Sequence, residues 1–339
     1  MTVTVLMPVY NAEKYLETSI NSLLVQTSSN WRLICVDDGS TDKSLDILKD
    51  YELKDKRICV LTQKNAGPAV ARAKAIELAD TDYVSILDAD DAYSKNYVEL
   101  MLKRAEETNA DIVVPDVWTG NGDVAIRHNL LSKGKLHVDM VIEDGREALA
   151  LTIPWRLHGW PMIRTLLAKQ YYTTEIASYS KFNSDEYITR LLYLKSKKIV
   201  FCKACYKHII VPNSITHTPS LKLLDYLITL DKLVDLCERE NAFIETKINL
   251  YILYFNTLFY ISDVIRKLPE LEQKEAKHRA SYFYRQSYCK KMSFKMWIAS
   301  SMKLKVKFTL SLIHFSFING QYKKWIKNLR LNRICQKYR

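Results

Sequence analysis

Four short apolar runs, each followed by a polar turn, set the pattern of the first part of the chain. They are "VTVLMPVY" from Val3, "WRLICVDD" from Trp31, "ICVLTQ" from Ile58 and "YVSILDA" from Tyr83. Short runs rich in β-branched residues fit strands buried on both faces. The stretches between them have helical spacing. "AEKYLETSINSLLVQT" repeats apolar residues at Tyr15, Leu16, Ile20, Leu23 and Leu24. "STDKSLDILKDYE" opens on Ser40 and Thr41, expected N-caps, and "GPAVARAKAIELA" has Pro68 placed to start a helix. This alternation predicts an α/β fold, a mostly parallel sheet with helices on both faces.

Ligands of such sheets bind outside the carboxyl ends of the strands. The residues there are Pro8 to Asn11, Asp37 to Ser40, Lys64 to Gly67 and Asp88 to Asp91. Two of these four sets are acidic. Carboxylates gathered in one crevice repel each other unless a cation lies between them. Hard oxygen ligands suit Mg²⁺ or Mn²⁺, ions that commonly bridge to phosphates.

"PVYN", "VDDGSTD", "KNAGPAVARAKAI" and "LDADD", in this order and each at a strand end, resemble the inverting glycosyltransferases of family 2. The resemblance covers roughly residues 1–219 and implies a GT-A fold, a nucleotide-sugar donor and a Mn²⁺ or Mg²⁺ cofactor. It assigns Pro8, Val9, Tyr10 and Asn11 to the nucleoside, with Asp37 and Asp38 in the neighbouring loop and Asp38 on the uracil. Asn65, Gly67 and Arg72 border the base and the diphosphate. Asp88 and Asp90 are the DxD pair. Asp90 is the direct metal ligand and Asp88 acts toward the ribose or through water, while Asp91 is expected to cap the next helix.

An inverting transfer is one displacement, so the acceptor proton needs a base opposite the leaving nucleotide. The family supplies an acid after a tryptophan-bearing acceptor segment. "HGWPMIRTLLAKQYY" carries Trp160, and "KFNSDEYITRLLYLKSKKIVF" resembles the motif that follows. Asp185 matches the base. Ser184 stands where the family has Glu, which leaves Glu186 as the other candidate; the helix register favours Asp185. Trp160 and Glu186 are candidates for acceptor contact, Trp155 for core packing, and His208 and His217 for the diphosphate. "NSIT" at Asn213 to Thr216 matches family residues. Cys202 and Cys205 form a lone CxxC, read as strand residues because a zinc site needs a second pair.

All but one of the eight glycines and all but one of the eight prolines precede residue 220. The remainder is therefore expected to be helical. The expected domains are 1–219, catalytic, with halves 1–110 and 111–219, and 220–339. "LLDYLITLDKLVDLCE" and "FIETKINLYILYFNTLFYISDVI" read as two helices packed on the catalytic part. The net charge is +12, yet no Asp or Glu lies beyond Glu275. Residues 1–275 hold 34 basic and 38 acidic side chains, net −4, and the 16 basic residues of the tail make the balance. "YKKWIKNLR" places Tyr322, Trp325, Ile326 and Leu329 on one face and its basic residues elsewhere, the pattern of an interfacial helix. An anionic membrane surface is the expected partner; a partner protein or oligomer contact is the alternative, and nucleic acid is not expected. No run reaches the roughly 18 apolar residues of a span, and "MTVTVLMPVYN" lacks the basic start of a signal peptide. The expected place is the cytoplasmic face of the cell membrane. The expected reaction is sugar transfer from a UDP-sugar to a lipid-linked glycan in surface polysaccharide or lipooligosaccharide synthesis. A sugar-phosphate nucleotidyltransferase would need a glycine-rich, basic loop after the first strand, which "PVYNAEKY" lacks. A non-catalytic scaffold would have no need to keep Asp88, Asp90 and Asp185.

Overall fold

The computed structural model describes residues 1–121, 124–127, 136–153, 155–210 and 218–283. His217, "NSIT" and the basic tail helix fall outside the described residues. The four expected strands are present: β1 (Val3–Val9), β2 (Trp31–Asp37), β3 (Ile58–Thr62) and β4 (Tyr83–Ile86). They pair in parallel in the order β3-β2-β1-β4. Alternate residues of β1 serve opposite cores. Val3, Val5, Met7 and Val9 lie in one, with α1 (Leu16–Leu24) and α4 (Tyr97–Thr108); Leu6 lies in the other, with α3 (Pro68–Leu78). Both faces are dry, and this is why β1 is apolar without alternation.

The sheet then departs from simple repetition. β6 (Ile112–Asn121) and β10 (Ile199–Ile209) are parallel to one another, but β9 (Met162–Arg164) inserts antiparallel between β4 and β6. β5 (Ala92–Tyr93) and β8 (Val141–Ile142) pair antiparallel with β10, and β7 (Val124–Arg127) pairs with β6. Cys202 and Cys205 lie within β10 and form no disulfide. On the second core's face, α6 (Thr165–Tyr171) contributes Ala168, α7 (Thr174–Ala177) Ala177, and α8 (Ser184–Lys195) Ile188 and Leu192.

The helix α2 (Ser44–Lys54) corrects the expected cap. Lys43, not Ser40 or Thr41, is its N-cap. Ser40 Oγ instead accepts the Asn11 amide, and the Thr41 amide donates to Asn11 Oδ1 at 2.8 Å. The two residues tie one strand-end loop to another and leave the helix to start later.

Beyond β10 the described residues are mainly helical, as expected: α9 (Asp225–Arg239), α10 (Ile244–Lys267) and α11 (Glu270–Phe283). A third core joins them to Leu149 of α5 (Gly145–Leu151), to Ile153 just after it and to Leu191 of α8. Among the described residues α10 alone is long and apolar enough to cross a membrane, with mean hydropathy 1.3 over its most apolar stretch. Of that stretch 44% is buried. Leu250, Tyr254, Leu258, Ile261 and Ile265 form the buried face at helical spacing, which gives α10 a core role.

Candidate functional site

The strand-end loops of β1 to β4 meet at one edge of the sheet, as the topology requires. Pro8 and Val9 are buried inside β1, while Tyr10 is 48% exposed at its end. Asn11 adopts φ 50°, a left-handed conformation Asn tolerates, and braces the next loop as described. Asp37 and Asp38 are almost wholly buried. Asp37 accepts the Ser40 amide with both oxygens. Asp38 accepts Gln63 Nε2 and the Ala66 and Gly67 amides, each at 2.8 Å. One carboxylate thus fixes the loop after β3 onto the loop after β2.

Gly67 is required here. Its φ is +96°, and a Cβ would lie 2.5 Å from the carbonyl oxygen of Lys181. Lys181 Nζ also donates to the Asn65 carbonyl at 3.0 Å. The loop after β3 therefore rests directly on the segment that leads into α8.

The second acidic turn is built from distant parts. Arg72, on α3 and only 7% exposed, donates to Asp88 Oδ1 at 2.5 Å and to Asp185 Oδ2 at 3.2 Å. Its Nε is buried without a hydrogen-bond partner. Trp160 Nε1 donates to Asp88 Oδ2 at 3.1 Å. Trp160 also stacks on Tyr206 at 5.0 Å and lies 5.3 Å from the His208 ring. The Asp88 amide donates to Tyr206 Oη, which donates to Asp91 Oδ2 at 2.7 Å. Asp91 accepts the Ile209 amide as well. It is no helix cap: α4 starts after Asn96, and Asp91 is spent instead on tying β10 to the turn. Burial, then the Asp88 charge, pushes the Asp91 carboxyl up to about 8, outweighing its two hydrogen bonds.

Asp90 is raised by burial first and by the Asp88 charge second, with His208 and Arg72 pulling the other way. A carboxylate strained by its neighbour's charge is a place where a cation is favoured. Among the described residues no group of three or more His, Cys, Asp or Glu side chains could enclose a metal ion. Mg²⁺ is commonly held by one or two carboxylates together with substrate phosphates. Asp90 with Asp88 fits an ion of that kind, and no ion enclosed by protein alone.

Asp185 and Glu186 open α8 and diverge. Asp185 faces Arg72, and its Oδ1 accepts the Glu186 amide. Glu186 pairs with the fully buried Arg190 at 3.1 Å. Burial raises the Glu186 carboxyl most, Arg190 lowers it and the Asp185 charge raises it again. Trp155, expected in the core, is 40% exposed, with the Arg190 guanidinium 3.7 Å from its ring centroid. That contact covers one part of the ring and leaves the rest in the open.

The edge thus brings together Asp88, Asp185, Arg72 and Trp160, with Asp90 and His208 beside them. Sequence reasoning missed Tyr206 and Arg190. The signal for Arg190 was its place four residues after Glu186 on one helix; Tyr206, inside a strand, carried none.

Residues 4–165 match the family model described as glycosyl transferase family 2. The glycosyltransferase GlyA of Streptococcus pneumoniae is 28% identical over 67% of this chain and 33% of its own length. A putative teichuronic acid biosynthesis glycosyltransferase, TuaG of Bacillus subtilis, is 46% identical over 30% of this chain and 40% of its own. The poly(ribitol-phosphate) beta-glucosyltransferase of Bacillus spizizenii is 30% identical over 59% of this chain and 30% of its own. The chain spans 30–40% of the length of these relatives. Among solved structures, S. aureus TarS 1-349 in complex with UDP-GlcNAc aligns with a TM-score of 0.65 at 20% identity, covering 85% of this chain and 82% of that one. At that identity the likeness is one of fold, and it agrees with the GT-A architecture.

Proposed function

From the premise that the chain belongs to glycosyltransferase family 2 through its residues 4–165, we propose that it is a metal-dependent inverting glycosyltransferase using a UDP-sugar. One observation carries this reading: Arg72 holds Asp88 and Asp185 at once, so the strand-end acid and an acid from a helix far along the chain share one crevice. The UDP and UDP-GlcNAc complexes of TarS support a uridine donor. The polymers in the names of two relatives, teichuronic acid and poly(ribitol-phosphate), support a surface glycan, lipid-linked during its synthesis, as acceptor.

In this reading Tyr10, Asn11, Asn65 and the Asp37–Asp38 loop frame the nucleoside, with Gly67 letting the backbone come close. Pro8 and Val9 form the floor. Asp90, with Asp88, would hold Mg²⁺ or Mn²⁺, which when bound neutralises charge on a departing diphosphate. His208 lies beside Asp90 to meet the same phosphates. Asp185 takes the proton of the attacking hydroxyl. Each of its oxygens already accepts one hydrogen bond, from Glu186 and from Arg72, and each keeps a second lone pair for that proton. Arg72 and the Glu186 amide orient the carboxylate, and orientation is where much of such a rate arises. Trp160 and Glu186 stand on the acceptor side. With an α-linked donor, inversion gives a β-linkage.

We assign residues 1–219 to catalysis, the donor half being 1–110 and the acceptor half 111–219. We assign residues 220–339 to a second region, helical in its described part as far as Phe283, whose basic end attaches the enzyme to the inner face of the membrane. The test is a panel of nucleotide-sugars scored for donor hydrolysis and thermal stabilisation. One UDP-sugar is expected to be both hydrolysed and stabilising. Neither effect across the panel would overturn the assignment.

A further inference from the structure

A second concavity opens one residue past Asp185. It has a volume of about 290 Å³, and its walls include Trp155, Glu186, Tyr226, Leu253, Asn256 and Tyr260. Trp155 and Glu186 belong to the catalytic side; Tyr226 is on α9, and Leu253, Asn256 and Tyr260 are on α10. The groove exists only because the helical region is docked on α8. Neither the donor site nor the acid pair at Asp88 and Asp90 needs it.

Its aromatic walls are held in place before any ligand arrives. Arg190 fixes Trp155 from one side. Tyr226 is wedged edge-on between Phe182, at 5.2 Å, and Tyr260, at 6.5 Å. Trp155 and Tyr260 stay 40% and 42% exposed. Among these rings stand the Glu186 carboxylate, an acceptor, and the Asn256 amide, both donor and acceptor. Flat rings beside a few convergent polar groups suit a pyranose, which offers C–H faces to the rings and hydroxyls to the amide and carboxylate. An alkyl chain in the same groove would strip water from Glu186 and Asn256 and return no hydrogen bond, a net cost.

Position decides the role. Consecutive Cα atoms are about 3.8 Å apart while the two carboxylates turn apart, toward Arg72 and toward Arg190, so a glycan that offers a hydroxyl of one ring to Asp185 can lay its next ring against Glu186. We propose that this groove binds the acceptor's second sugar, the unit next to the one that receives the transferred residue. The proposal rests on the reading of Asp185 as base. It makes the helical region a determinant of which glycan is extended, and it makes a disaccharide a better ligand than a single sugar.

The experiment is saturation-transfer difference NMR on the full chain with UDP present. The probes are methyl β-glucoside, cellobiose, N-acetylglucosamine and di-N-acetylchitobiose, with octanol as the apolar control. At least one disaccharide is expected to receive more saturation than its monosaccharide. Tyr260→Ala and Asn256→Ala should each weaken that signal by about fivefold, the scale of one aromatic or polar contact, and Tyr260→Phe should keep it. Both positions are exposed, and the UDP-induced thermal shift is expected to be unchanged in all three variants. A panel in which no disaccharide binds overturns the proposal. So does a signal indifferent to both alanine variants, or octanol displacing the sugar from the wild type. A wild type without a UDP shift removes the donor reading instead; a sugar signal that survives there would mark a sugar site, but the acceptor role proposed for it falls.

Discussion

Two acidic turns sit side by side at the sheet edge and use their carboxylates in opposite ways. Asp38 is satisfied by Gln63, Ala66 and Gly67, all within 29 positions of it, and two of the three donors are backbone amides. Asp88 is met by Arg72, 16 positions away, and by Trp160, 72 positions away. Asp91 is met by Tyr206 and Ile209, at separations of 115 and 118. The first turn is a brace closed by its own neighbourhood. The second is a meeting point for four separate parts of the chain, held mostly by side chains from far along it. Equal acidity after a parallel strand therefore says little about role; the origin of the partners says more.

The sharpest test of that contrast is Asp185→Asn. Transfer should fall by about 10²–10⁴, the scale of a lost general base, with UDP affinity by calorimetry retained. Undiminished turnover would remove Asp185 from the mechanism and leave its pairing with Arg72 a structural contact. Chelation comes next. EDTA should stop turnover, and added Mn²⁺ or Mg²⁺ should restore it; full activity in chelator would end the metal role of Asp90 and Asp88. A smaller effect bears on the brace. Asp38→Asn places an amide against donors and should lower urea stability by about 1–3 kcal/mol, more than Asp88→Asn does. Equal losses would collapse the distinction between the two turns.

The smallest effect concerns His158, whose ring lies 5.6 Å from Trp160 behind the second turn. Both ring nitrogens are buried without partners, and burial lowers the imidazole to about 4. The unfolded chain thus binds a proton near pH 6.5 that the folded one refuses until about 4. Stability from this group is complete above pH 6.5 and is lost as pH falls through that window. At pH 5.5 the loss is about 1.4 kcal/mol. Unfolding free energies from urea titrations at pH 7 and 5.5 should differ by about 1.2 kcal/mol more in the wild type than in His158→Phe; equal differences would refute it.

The same contrast explains what could be read in advance. The strands β1 to β4 were legible as short apolar runs, and α1 to α3 as the helix-forming stretches set between them. Two expectations failed for one reason. Ser40 and Thr41 look like caps, and Asp91 looks like one too, but each was claimed by a partner that the local pattern does not contain. Asn11 lies 29 positions before Ser40 and Tyr206 lies 115 after Asp91. β9 was hidden because three residues have no detectable period. Trp155 was misjudged because tryptophan is usually buried, and nothing in its neighbourhood announces Arg190. Within the site, residue types at strand ends were readable, while the bridge from Arg72 to Asp185 spans 113 positions and belongs to the tertiary fold alone.

The contact of Gly67 with Lys181 has a practical side for anyone recombining such enzymes. The stretch that matches the family ends at residue 165, ahead of Lys181 and Asp185. A chimera cut at that boundary would join residues 1–165 to a foreign loop across a seam with no room for one methyl group. Exchange of specificity between relatives therefore has to move the loop before α8 together with the glycine it rests on, as a matched pair, or the two modules will not close.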